Sequence, residues 1–147
     1  MTTLNDILKT KTQTKQATDT GTKTHLLLQH IVIDNDIEQG NETIVKKIKQ
    51  NPVLIQFFNK DSKTEVPIAG TINGKFISRR IDRLNINKNK KHIDIIDYKT
   101  DTTPEAYRAL YIAQVREYTQ LLKAIHPDFT ISTYILWTHD FSLEKIS

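Results

Sequence analysis

Asn73-Gly74 separates two runs of β-branched and partly alternating residues, 64–72 and 75–86. An Asn-Gly pair tolerates the positive φ angles that a two-residue hairpin turn demands. A tight turn here pairs Ile72 with Lys75, and every pairing beyond follows: opposed residue numbers sum to 147, so Glu65 faces Asp82. The polar stretch 85–91 leads to a third strand candidate, His92–Lys99. A turn centred on Asn89-Lys90 makes opposed numbers sum to 179, which sets Asp82 against Asp97. Lys99 lies two residues further on and shares that face of the sheet.

The register therefore places Glu65, Asp82 and Asp97 side by side across three strands. Directly opposed side chains have Cβ atoms ~4.5–5.5 Å apart, and like charges at that spacing destabilise a sheet. A cluster of this kind persists if a cation neutralises it or if one group keeps its proton. Hard oxygen donors favour Mg²⁺, Mn²⁺ or Ca²⁺, and Lys99 beside such an ion could orient water or stabilise developing negative charge. The alternative is an exposed sheet face carrying ordinary solvated charges, and the register alone leaves both open.

The chain has 147 residues and no cysteine. One domain of this size buries a sizeable core. The missing thiols exclude disulfides, thiolate zinc sites, an iron–sulfur cluster and a cysteine nucleophile, and fit a reducing, cytoplasmic setting. No apolar run reaches the ~20 residues of a transmembrane helix, and the N-terminus has no signal-peptide core, so no membrane partner is expected. The net charge is only +4, but residues 75–91 hold Lys75, Arg79, Arg80, Arg83, Lys88, Lys90 and Lys91 against the single acid Asp82. A basic hairpin next to an acidic cluster suits a polyanion that must approach a metal, and it equally suits a soluble, solvated hairpin.

Residues 1–20 are rich in Thr and Lys and read as a flexible leader or linker, which leaves 21–147 as the folded domain. Residues 21–32 read as a short buried helix, with His25 either a metal ligand reaching in or a structural histidine. Asp36–Gln50 reads as an amphipathic helix with Ile37, Ile44, Val45 and Ile48 inward and Lys46, Lys47 and Lys49 outward. Asn51-Pro52 opens a short helix packing Leu54, Phe57 and Phe58. After the three strands, Thr103-Pro104-Glu105 starts a helix to about Ile125. Its stripe is Tyr107, Leu110, Tyr111, Gln114, Tyr118, Leu121 and Ile125. Residues 129–137 form a fourth strand and 141–146 a short edge segment. The order helix, meander, helix, strand is that of a mixed α/β domain, a sheet flanked by helices.

These stretches, in this order, resemble the RecB/AddA-type nuclease domain of the PD-(D/E)xK superfamily over roughly residues 21–146. Gly21-x-x-x-His25-x-Leu27-Leu28-Gln29 is similar to the family's N-terminal histidine motif, and Glu65-Val66-Pro67-Ile68 to the segment entering its first strand. Ile81-Asp82-Arg83-Leu84 resembles the first catalytic-aspartate motif, and Ile95-Ile96-Asp97-Tyr98-Lys99-Thr100 the D-x-K motif itself. Gln114-x-x-x-Tyr118 matches the Q-x-x-x-Y helix motif that marks this branch, and Tyr134-Ile135-Leu136-Trp137-Thr138 resembles the AddA proteins of alphaproteobacteria. D-x-K alone is common by chance; five motifs in order form a strong signal.

The resemblance implies a restriction-endonuclease-like core and a Mg²⁺-dependent deoxyribonuclease, exonuclease-type, that processes double-strand break ends for recombinational repair. It implies that His25, Asp82, Asp97 and the Tyr98 carbonyl hold Mg²⁺, with Mn²⁺ as a substitute, and that Lys99 is the catalytic lysine. Gln114 and Tyr118 would contact DNA or brace the site, and Glu65 would lie one layer further out. The basic hairpin would carry DNA, and a helicase motor or AddB-like subunit would be the protein partner. Two departures stand out. The family places Gly where this chain has Arg79, and its parent proteins carry a motor for which this chain has no Walker A sequence. The rival expectation is a catalytically weak or inactive module that binds DNA or a helicase. The cysteine-dependent CRISPR-associated nucleases of the same superfamily are a poor fit to a chain without cysteine.

Overall fold

Asn73 and Gly74 take φ angles of 51° and 78°, the left-handed pair that the expected turn requires, and Ile72 pairs with Lys75. The computed structural model describes residues 23–100 and 104–147. A helix over 23–29 (α1) precedes a small hairpin of β1 (Val32–Asp34) and β2 (Ile37–Gln39), then α2 (Glu42–Lys49) and a 3-10 turn, Leu54–Phe58. The meander follows as β3 (Lys63–Ile72), β4 (Lys75–Asn87) and β5 (His92–Lys99). A 3-10 turn at Pro104–Ala106 leads to α3 (Arg108–Ile125), β6 (Thr130–Trp137) and β7 (Ser142–Lys145). The domain is α/β, with a mixed five-stranded sheet in the order β3-β4-β5-β6-β7 flanked by helices.

Both expected registers hold. Val66 pairs with Ile81 and Lys63 with Leu84; Arg83 pairs with Ile96 and Asn87 with His92. The helix α3 carries the chain from β5 to β6, which run parallel, as a crossover connection demands. β5 is therefore central, and its inner residues are buried on both faces. On one face Ile96 and Tyr98 join Leu28, Ile31, Val45, Ile48, Leu54 and Phe58 in a core under α1 and α2. On the other, Ile93 and Ile95 meet Val115, Tyr118, Leu121 and Leu122 of α3. Alternation along β5 consequently turns Asp97 and Lys99 toward α3.

Three expectations are corrected. The helix read over 21–32 ends earlier, because Val32 already belongs to β1. The helix read over 36–50 is really a strand and a shorter helix. Asp34 pairs with Ile37 across Asn35-Asp36, Gly40 turns at φ 117°, and Asn41 caps α2 by accepting from Ile44 N at 3.1 Å. Ile37, expected inward, is exposed. The stripe of the last helix is rotated. Tyr107, Leu110 and Ile125 are exposed, while Val115 and Leu122 are buried beside Tyr118 and Leu121. The expected leader 1–20 lies outside the described residues, as do Gly21 and Thr103. Among the described residues, no helix is long and apolar enough to cross a membrane.

Gly40 can be tested directly. Its φ is one that L side chains rarely adopt, and a Cβ there would collide with the buried Cδ1 of Ile31. Gly40→Ala is expected to cost roughly 1–3 kcal/mol of stability, read as a lower urea midpoint with unchanged slope. A wild-type midpoint would contradict this account of the turn.

Candidate active site

The site forms where β4 and β5 lie side by side near the C-terminal end of β5. The β4–β5 ladder runs as far as Arg83↔Ile96, and Asp82 and Asp97 are the next residues beyond it. Asp82 Oδ2 accepts a 2.8 Å hydrogen bond from Tyr98 N, which anchors the carboxylate to the neighbouring strand. The Asp97 carboxylate lies close enough for its charge to act on Asp82. Burial, and then the Asp97 charge, push the Asp82 carboxyl from 3.8 up to about 8, against the opposing pull of the Tyr98 N–H and Lys99. The direction favours a proton held within the Asp82–Asp97 pair in the metal-free protein.

Lys99 Nζ lies 3.0 Å from Asp97 Oδ2, and Asp97 is only 3% exposed. That contact is an ion pair without hydrogen-bond alignment: among the described residues, Asp97 Oδ2 has no directed hydrogen-bond partner. Lys99 instead donates to Gln114 Oε1 at 2.9 Å, and Gln114 Nε2 donates to Tyr118 OH at 2.8 Å. Gln114 and Tyr118 are one turn apart on α3, so the two share a helix face. The Lys99 ammonium also sits 4.5 Å above the Tyr111 ring. The Tyr118 hydroxyl is pushed up by burial and by the charges of Asp97 and Asp82, and remains protonated at any physiological pH.

His25 approaches from α1. Its Nε2 is 3.1 Å from the Tyr98 carbonyl oxygen, an acceptor only, so that nitrogen carries the proton. Nδ1 is 3.9 Å from Asp82 Oδ1, and the imidazole meets the Tyr98 ring edge-on at 5.4 Å. The structure therefore brings together His25, Asp82, Asp97, Tyr98, Lys99, Gln114 and Tyr118, residues spread from position 25 to position 118 of the sequence.

Glu65 does not complete a row of three carboxylates. It takes φ 53°, a left-handed kink that interrupts the ladder between Thr64↔Arg83 and Val66↔Ile81. Its Oε2 lies 3.7 Å from Arg80, while its charge still reaches Tyr98. Arg83, expected on a DNA-carrying surface, is 1% exposed and lies inside the core; alternation opposite Asp82 sends it inward. Of the other hairpin cations, Arg79 pairs with Glu117 at 2.7 Å and Lys91 with Asp128 at 3.3 Å. Lys88, Lys90 and Lys91 sit at the far end of β5, ~20 Å of extended strand from Asp97. Tyr111, read from sequence as a packing residue, is the one addition; its place one turn before Gln114 was the available signal.

The donors suit a hard divalent cation: two adjoining carboxylates, one of them with a buried oxygen that has no directed partner among the described residues, a backbone carbonyl and one imidazole. Among the described residues, however, no group of three or more His, Cys, Asp or Glu side chains is already drawn together as a metal site. No protein-family model matches the chain, and no curated protein matches it at a significant level.

The raised Asp82 pKa makes stability depend on pH. Between 3.8 and about 8 the folded state holds a proton that the unfolded state has lost. This contribution is complete at acid pH and disappears as pH rises toward 8. Thermal melts without divalent ions should show stability from this group falling across that window, and Asp82→Asn should remove that component. The same pH slope in Asp82→Asn would refute the assignment.

Proposed function

We propose that the chain is a metal-dependent deoxyribonuclease with a restriction-endonuclease-like core of the RecB/AddA kind, acting on DNA phosphodiesters at break ends. The observation that carries this reading is the paired Asp82 and Asp97 carboxylates with Lys99 Nζ 3.0 Å from Asp97. Two buried acids one strand apart raise each other's cost of ionising, and a structural role alone gives no reason to keep both. The ordered set of motifs in the sequence supports the same reading.

Asp82, Asp97, the Tyr98 carbonyl and His25 are the residues that would hold Mg²⁺ or Mn²⁺. When bound, the ion supplies neutralisation of the carboxylate pair and Lewis acidity toward a phosphate oxygen. The remaining work belongs to the chain. Lys99, fixed by Gln114 and held over Tyr111, offers a positive charge where negative charge develops on a phosphate. Gln114 orients that ammonium and is itself oriented by Tyr118. Tyr118, with its pKa raised, acts as a neutral hydrogen-bonding group and not as an acid. Arg80, largely exposed, and the hairpin lysines supply attraction for the phosphate backbone without sequence readout. A helicase subunit as partner fits the same family reading.

A second reading, a module that binds DNA or a helicase without cutting, is favoured by the lack of a ready three-side-chain metal cluster among the described residues. Cleavage of linear single- and double-stranded DNA with Mg²⁺ or Mn²⁺ separates the two. Wild type should cut, and Asp97→Ala and Lys99→Ala should each lose on the order of 10²-fold or more in rate while keeping the wild-type circular dichroism. A fully active Lys99→Ala protein contradicts the nuclease reading. Wild-type protein that binds DNA and leaves it intact favours the second.

A further inference from the structure

Arg83 follows Asp82 in the strand yet does a different job. The whole residue is 1% exposed. Nε donates to Tyr98 OH at 2.8 Å; Nη2 donates to the carbonyls of Leu28 at 2.8 Å and Ile31 at 3.3 Å; Nη1 donates to Ser62 Oγ at 2.8 Å. A longer 3.5 Å contact joins Nη1 to Phe57 O, and the Phe58 ring lies 4.1 Å below the guanidinium carbon. Among the described residues, none of these partners is a carboxylate. A buried cation met only by neutral dipoles is expensive for a fold to keep, and a core of this composition would fill the space more cheaply with an aliphatic residue.

The partners show what the cation accomplishes. Leu28 and Ile31 belong to the end of α1 and the residues just after it, and His25 sits one turn before Leu28 on the same helix. Tyr98 is the residue whose carbonyl meets His25 Nε2 and whose N–H meets Asp82. One planar guanidinium thus ties α1 to the residue of β5 that α1's histidine must face. The flat fork matches several fixed acceptors at once; an ammonium, a compact point charge, does not.

We propose that Arg83 is a positioning residue: from inside the core it sets α1 against Tyr98 and so holds His25 in place beside Asp82. The inference rests on the proposed nuclease site for its purpose, but the geometry it asserts is testable without catalysis. The experiment is nuclear magnetic resonance of the metal-free chain, reading the cross-relaxation between the His25 and Tyr98 rings and the tautomer of His25. Wild type should show the contact and an Nε2–H imidazole. Arg83→Lys keeps the charge and should lose at least fivefold in cross-relaxation, and Tyr98→Phe, which removes a single acceptor, at least twofold. Ile93→Ala, in the core on the opposite face, should lower the melting temperature and leave the His25 signals unchanged, which separates positioning from general destabilisation.

Folded Arg83→Lys with wild-type His25 signals overturns the proposal. If Arg83→Lys does not fold, Tyr98→Phe decides alone, and wild-type His25 signals in it overturn the proposal. DNA cleavage on the same samples keeps the two ideas apart. Displacement of His25 in the variants beside an inactive wild type supports Arg83's role and removes the nuclease reading. An active wild type with His25 unmoved in the variants does the reverse.

Discussion

Two acidic side chains, Asp82 and Asp97, are held together out of water because neighbouring strands leave them no other place. An Asn-Gly turn and a second polar turn fix the pairing of three strands up to Arg83 and Ile96, and the Tyr98 N–H then holds the Asp82 carboxylate against β5 beside Asp97. Much of the surrounding arrangement compensates for this proximity: the backbone N–H of Tyr98 on Asp82 and the ammonium of Lys99 beside Asp97, while burial and the Asp97 charge raise the Asp82 pKa. Asp97 Oδ2, without a directed hydrogen bond among the described residues, marks where compensation stops short. Electrostatic strain of this sort is typical of sites built to receive a charged ligand.

The sheet separates two tasks. On the side of α3, Gln114, Tyr118 and the Tyr111 ring constrain Lys99. On the other side, Arg83 and the hydroxyl of Tyr98 fasten α1, which brings His25 round to the same strand end. Adjacent residues of β4 and β5 divide between these faces, so Asp82-Arg83 and Asp97-Tyr98 each give one side chain to the carboxylate pair and one to the core under α1. The burial of Tyr98 pushes its hydroxyl up to about 12, so it stays neutral and can accept from Arg83.

Legibility in the sequence followed the locality of the physics. The meander, its registers and the facing of Asp82, Asp97 and Lys99 depend on turn chemistry and period-two alternation, both properties of short stretches. The β1–β2 hairpin is hidden in sequence because Ile37 falls at helical spacing with Ile44, Val45 and Ile48, and the deciding feature is Gly40 with its positive φ. The facing of α3 is not legible in sequence, because exposed Tyr107 and Leu110 resemble core residues until their neighbours are known. The burial of Arg83 is not legible because a cation in a basic stretch normally belongs on the surface, and its acceptors lie fifteen or more residues away in sequence. The kink at Glu65 has no signature in that segment. His25 was drawn to the site by resemblance and not by spacing, since nothing local links it to β5.

The central claim is that the carboxylate pair takes up a divalent ion in exchange for the proton on Asp82. Titration calorimetry of Mn²⁺ into the metal-free chain near neutral pH, in two buffers of different ionisation enthalpy, measures both events together. The account requires saturable binding with close to one proton released per ion. Binding with no proton release, or no binding at millimolar Mn²⁺, would contradict it.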